Sequence, residues 1–319
     1  MKKILLFVSA LAGLFLAGSC QREELAPVAE GNVVTFEVAI PEGAVTKAVV
    51  DDGSNINDLV YAVYRTAATT EEAAKADTKL QLIYQKNFDG IQFRDGKTTI
   101  PIELINDQNY LIVFWAQGDN VWVSDIEFDK FDFRNGITYP EHVDANDESR
   151  AAFTNVAFLS AADIKGGAIK RGVTLYRPFA QINLGTTLPK NVKEPVKLVS
   201  SSMTVTGASA AFNVIKQEPV DTKKTIYFDD NEFTDFDILK TVGVGENAVK
   251  YHYAAMNYIF AAGNVSVQID ITTNDHGTIK LDEIPAVPVA KNYRTNIIGN
   301  LLTSPNHFKV IIEEDFEDD

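Results

Sequence analysis

The feature that most limits this chain is a train of short β-rich runs, separated by turn formers and spaced by about ten residues. Residues 33–40 alternate, so Val34, Phe36, Val38 and Ile40 share one strand face while Val33, Thr35, Glu37 and Ala39 share the other. Pro41 and Gly43 stop that run. Similar runs follow at residues 59–64, 80–84, 98–104 and 110–115. Further ones lie at 173–184, at 203–214 with a break at Gly207, and at 225–228, 251–260, 265–273, 293–299 and 308–312. Only residues 70–76 read as helix, one or two turns long. Strands without intervening helices predict an all-β fold of antiparallel sandwiches rather than βαβ units.

Cys20 is the sole cysteine of 319 residues. Ahead of it stand Lys2 and Lys3, an apolar run over residues 4–16, and the small residues Ala17-Gly18-Ser19. A helix over that run rises about 20 Å, short of the ~30 Å hydrocarbon core, so residues 1–19 read as a cleaved signal peptide. Small residues running into a lone cysteine describe a lipobox, whose thiol is alkylated with diacylglycerol, and lipidation is expected at Cys20. Its acyl chains, at about 0.8 kcal/mol per buried CH₂, would hold the body on membrane lipid. Residues 20–32 are charged and lack periodicity, as a lipidated tether does. The body itself has no second thiol for an internal disulfide.

About 300 residues then remain, too many for one ordinary core, and the Gly166-Gly167 pair divides them into sandwiches at 33–167 and 168–319. Residues 1–19 carry two lysines and no acid, so 27 basic side chains face 44 acidic ones beyond them. That surface repels phosphate backbones and excludes nucleic acid as a partner.

Catalytic signatures are missing. His142, His252, His276 and His307 stand singly, none at a metal-ligand spacing, and the chain has no GxSxG, P-loop, HExxH or dinucleotide fingerprint. The expectation is a protein that is not an enzyme, with no cofactor and no metal. Acidic stretches at residues 51–55 and 144–148 lack the EF-hand spacing and read as solvated loops.

The chain resembles the fimbrillin-like lipoproteins of Gram-negative anaerobes, whose members build or decorate surface pili. The resemblance rests on Ser19-Cys20, the alternating run at 33–40, Thr46-Lys47-Ala48 leading into residues 56–64, the LYRPFAQINL stretch at 175–184, Ala255-Met256-Asn257-Tyr258, and residues 292–303. Within that family it looks closest to a subgroup of uncharacterised secreted lipoproteins. The resemblance implies two transthyretin-like sandwiches, and residues 21–24 resemble the acidic signal that directs such lipoproteins to the outer face of the outer membrane. It also implies assembly by strand exchange, in which a protease cuts the loop after the first strand and a neighbour's C-terminal strand refills the groove. Carried onto this chain, the cut falls after Lys47, where the family's usual residue is arginine. The removable strand then carries Val34, Phe36, Val38 and Ile40, and the C-terminal strand carries Phe308, Val310 and Ile312.

Two functions follow as expectations. The first is a structural role in pilus assembly or adhesion, with other fimbrillin-like subunits or a host surface as partners. The alternative is a glycan-binding lipoprotein of a nutrient-uptake system, which needs Trp115 and Trp122 as an exposed platform.

Overall fold

The computed structural model describes residues 31–41, 56–118, 122, 131–140, 142–165, 169–187, 198–232, 239–243, 248–261, 263–274, 277–301 and 307–314. In chain order the first ten strands are β1 (Gly31–Ala39), β2 (Asp58–Thr66), β3 (Gln81–Phe88), β4 (Lys97–Ile105), β5 (Asn109–Gln117), β6 (Ile137–Thr138), β7 (Val143–Asp144), β8 (Ala152–Leu159), β9 (Ile169–Thr174) and β10 (Ala180–Thr186). They continue as β11 (Leu198–Ser209), β12 (Ala211–Asn213), β13 (Glu218–Pro219), β14 (Lys223–Glu232), β15 (Leu239–Val242), β16 (Val249–Ile259), β17 (Gly263–Thr273), β18 (Gly277–Lys280), β19 (Ile284–Val289), β20 (Tyr293–Gly299) and β21 (Phe308–Glu314). The short helix read at residues 70–76 is α1 (Glu71–Lys75), where the Thr70 hydroxyl accepts from the Ala73 N–H. A second, α2 (Ala161–Ile164), is closed by a capping box between Ser160 and Asp163.

The protein is all-β, built of two sandwiches. In the first, a sheet ordered β4-β1-β9 faces one ordered β3-β2-β5-β8. Its core joins Val34, Phe36 and Val38 to Ile100, Ile102, Tyr61, Val63, Ile112 and Phe114. In the second, β15-β16-β10-β20-β21 packs with β18-β17-β11-β14-β7, and β19 pairs with β17. β13, β12 and β6 form a separate small sheet in the order β13-β12-β6.

Pairing is antiparallel with three exceptions: β1 with β9, β10 with β20, and β14 with β7. Parallel neighbours need long connections, and the first of these spans nearly the whole first sandwich.

β2 and β5 are buried on both faces. Leu59, Tyr61 and Val63 enter the first core, while Val60, Ala62 and Tyr64 join Trp115, Phe133 and Ile137 in the larger cluster that runs on into the second sandwich. This two-sided burial explains why these strands read as continuous apolar runs rather than as alternations.

The structure departs from the single strand expected at 173–184. The chain breaks there into β9, which pairs with β1, and β10, which pairs with β16 and β20. Pro178 lies in the break, lacking an N–H and constraining Arg177 before it. Conversely β7 pairs with β14 of the second sandwich, and β6 pairs with β12, which follows β11 directly in the chain. The two bodies therefore interleave in sequence on both sides of residue 167, which itself lies outside the described residues. At Gly207 the expected break is a register shift in β11, with φ at +91°, a conformation open to glycine.

Candidate functional site

The first candidate is the slot occupied by β1. Nine of its residues pair antiparallel with β4 and six pair parallel with β9, so its backbone is bonded on both edges. Beyond the strand, Ile40 N–H donates to Gly96 O at 2.8 Å, and Leu175 N–H donates to Ala39 O at 2.7 Å. Val34, Phe36 and Val38 are fully buried and Ile40 is 3% exposed. The Phe36 ring lies 5.2 Å from that of Phe114. Four such side chains at ~1.5–3 kcal/mol each contribute up to about 6–12 kcal/mol. β1 begins at Gly31, two residues before the expected strand, and the Asn32 side chain donates to Ile164 O at 2.6 Å. The end of the expected tether is thus part of the sheet.

Cys20 and Lys47 lie outside the described residues. Arg65, the nearest arginine after Lys47, has an exposed side chain on β2. Its backbone is paired on both sides, with Gln81 of β3 and Tyr110 of β5, so a protease that binds substrate as an extended strand finds no free edge there.

The second candidate is the C-terminal strand. β21 lies at the end of its sheet, paired in register with β20 from Phe308–Gly299 to Glu314–Tyr293. Phe308 is half-buried, whereas Val310 and Ile312 are 38% and 47% exposed. Glu313 holds the far end of the strand: Asn296 Nδ2 donates to its Oε2 at 2.7 Å, and Arg294 Nη1 stands 3.9 Å from the same oxygen.

Those contacts belong to a polar layer that alternation in the sequence hides. Gln181 and Asn183 on β10, with Arg294 and Asn296 on β20, are at most 3% exposed although each alternates with an apolar neighbour. Gln181 Nε2 donates to Asn183 Oδ1 at 2.9 Å, and Asn183 Nδ2 donates to Asn296 Oδ1 at 2.9 Å. The Tyr251 hydroxyl donates to the same Asn296 oxygen at 3.2 Å. Burial, with Tyr253 beside it, pushes the Tyr251 phenol well above its ordinary range, so it remains a donor. A buried amide left unpaired is costly, so these side chains fix one another. The signal present in the sequence was the matching Gln-Ile-Asn and Arg-Thr-Asn triplets.

The remaining candidates are structural or scattered. Among the described residues no group of three His, Cys, Asp or Glu side chains is placed to hold a metal ion. His142 Nδ1 lies 3.5 Å from Asp229, and His142 and His307 are exposed on different segments. Asp147 is engaged by Arg150 at 3.0 Å.

The glycan platform expected of the two tryptophans is not formed. Trp115 is fully buried, its indole N–H donating to Gln117 Oε1 at 2.9 Å. Trp122 stacks on Phe179 at 5.1 Å, lies under Arg150 at 5.9 Å, and donates to Arg150 O at 2.9 Å. Trp115 is buried because β5 is covered on both sides, and Trp122, outside any strand, packs against the larger core.

Several solved structures superpose on this chain. A proposed adhesin from Bacteroides thetaiotaomicron superposes with a TM-score of 0.50 at 9% identity, covering 90% of this chain and 98% of that one. A fimbrial assembly protein from Parabacteroides distasonis gives 0.49 at 13% identity, over 89% and 96% of the two chains. The fimbrial anchor protein Mfa2 from Porphyromonas gingivalis gives 0.46 at 10% identity, over 89% and 98%. Comparison with curated proteins found no match. Residues 27–319 match the family described as "Family of unknown function (DUF6562)", and the chain belongs to that family.

Proposed function

We propose that this chain is a lipid-anchored protein of the cell surface, held on the outer membrane through acylated Cys20, with a structural role in pilus assembly or adhesion. Its partners in this reading are other fimbrillin-like subunits or a host surface. The observation that carries it is the placement of β1: an N-terminal strand in mid-sheet, filling a core with four apolar side chains and bonded on both edges. If β1 is removed after a cut at Lys47, the slot it leaves offers two unpaired edges and an apolar floor. Only another strand with the same alternation satisfies both, which is the physics of strand addition. The fold shared with the B. thetaiotaomicron protein supports this reading at the level of architecture.

Mild proteolysis of intact cells, followed by N-terminal sequencing and unboiled electrophoresis, tests assembly. The expected result is a new N-terminus at Ala48 and an SDS-resistant ladder that collapses on boiling. A body that keeps residues 33–40 and forms no ladder refutes exchange. Anchoring is tested separately: palmitate label should enter the wild-type chain and be lost with Cys20→Ala.

A further inference from the structure

The sheet edges of this fold are guarded in recognisable ways. β4 carries Pro101, and the Tyr84 hydroxyl donates to its Glu103 carbonyl at 3.0 Å. β19 contains Pro285 and Pro288, β9 carries Lys170 and Arg171, and β3 has a register shift opposite Val63 and Tyr64. The backbone of β8 is bridged to Tyr176 through Thr154. β7, β13, β15 and β18 have two to four residues each. Such devices keep edges from pairing with another chain.

β21 has no proline, no register shift and no bridging segment, and its charges include both signs, Lys309 and Glu313, rather than one repelling sign. Its seven residues pair in unbroken register with β20 on one side and with no described strand on the other. Val310 and Ile312 are its exposed apolar teeth.

The strand is also complementary to itself. Antiparallel pairing about Ile311 sets Lys309 opposite Glu313, and Val310 opposite Ile312, in both halves of the pair. Opposite charges and apolar residues facing across strands are each favourable. Lys309 is exposed and makes no ion pair among the described residues. Glu313, with 26% of its side chain exposed, is held in place by Asn296. One patch that matches itself is what a two-fold interface requires.

We propose that β21 is a self-association edge. Two copies join by antiparallel β21–β21 pairing about a two-fold axis at Ile311, merging two five-stranded sheets into one continuous sheet. No strand has to be cut or removed, so this stands independently of exchange at β1.

The test uses the full chain with Cys20→Ser, which leaves no native thiol. Sedimentation equilibrium at about 0.15 M salt, where charges more than ~8 Å apart are screened, should show a monomer–dimer equilibrium. Lys309→Glu turns two attractive cross-strand pairs into two repulsive ones and should weaken the dimer about tenfold or more. On oxidation, a mixture of Val310→Cys and Ile312→Cys chains should form a disulfide dimer that neither forms alone, because like positions in the pairing are offset by two residues. Both sites are exposed, so folding is preserved, and circular dichroism checks it. A monomer at every concentration, a dimer indifferent to Lys309→Glu, Val310→Cys chains linking to one another, or an open-ended oligomer ladder would each overturn the proposal.

Discussion

Phe36→Ala is the most direct probe of the slot that holds β1. Phe36 has no solvent exposure, its ring lies 5.2 Å from Phe114, and its backbone is paired with Ile100 on one side and Arg171 on the other. A side chain locked this way leaves a cavity that neighbours cannot collapse into, and truncating such an aromatic costs about 3–5 kcal/mol. Val310→Ala provides the control: it also shortens an apolar strand residue, but one that is 38% exposed on an edge. That substitution should cost about 0.5 kcal/mol. Each kcal/mol lowers the melting temperature of a body this size by about 2–4 °C, so Phe36→Ala should lose about 6–20 °C and Val310→Ala about 1–2 °C. Urea unfolding by tryptophan fluorescence checks the same difference, provided the slope is unchanged. If the two variants lose equal stability, β1 does not fill the first core and the reasoning from its burial fails.

Gly185→Ala tests the packing above the polar layer. A Cβ there would sit 2.3 Å from the ring of Tyr251, itself 2% exposed, so overpacking should cost about 1–3 kcal/mol in a denaturant titration. Acid should destabilise the protein through Asp132 and Asp163. Burial raises the Asp132 pKa, but hydrogen bonds from Arg134 and Tyr64 outweigh it; at Asp163 the Ser160 hydroxyl leads the lowering, with Arg171 assisting. A depressed folded-state pKa contributes stability that is present above the unfolded value near 3.9 and lost as pH falls through the folded value. Asp132→Asn should therefore flatten the loss of stability below about pH 4, followed by circular dichroism, and an unchanged slope would contradict the assignment. Finally, the sheet shared by both cores predicts one calorimetric unfolding transition, with calorimetric and van't Hoff enthalpies in agreement. Two resolved peaks would show that the sandwiches are energetically separate.

The sequence exposed the strands more readily than their partners. Residues 33–40 announce a strand because one face is apolar and the other faces water, and α1 is marked by Thr70 ahead of two glutamates. Nothing local reports that β1 lies between β4 and β9, because that depends on contacts at least 58 residues away. Residues 173–184 misled in a specific way: apolar residues continue on both sides of Pro178, so composition alone gives one strand where the chain passes from one sandwich to the other. The polar layer was hidden for the opposite reason. Gln181, Asn183, Arg294 and Asn296 look like a solvent face, yet they satisfy one another in the interior, and only the three-dimensional pairing of β10 with β20 brings them together. Trp115 reads equally well as platform or core in the sequence, because the burial of β5 on both faces depends on partner strands that no local pattern reports.

The two terminal strands differ in a way that decides how each can engage another chain. Spontaneous departure of β1 forfeits up to about 6–12 kcal/mol of apolar burial, which at ~1.4 kcal/mol per decade leaves it outside its slot in roughly one molecule in 10⁴ to 10⁹. An incoming strand cannot wait for so rare a vacancy. Exchange at β1 thus requires either that the strand be severed from the chain, so that release becomes irreversible, or that its replacement enter as it leaves, exchanging one set of ladder bonds for another. β21 faces no such barrier. Its outer edge is unpaired among the described strands and its teeth are already half in water, so a partner adds to it without displacing anything. Contact through β21 is therefore a reversible, concentration-dependent step, whereas exchange at β1 commits the subunit once it has occurred.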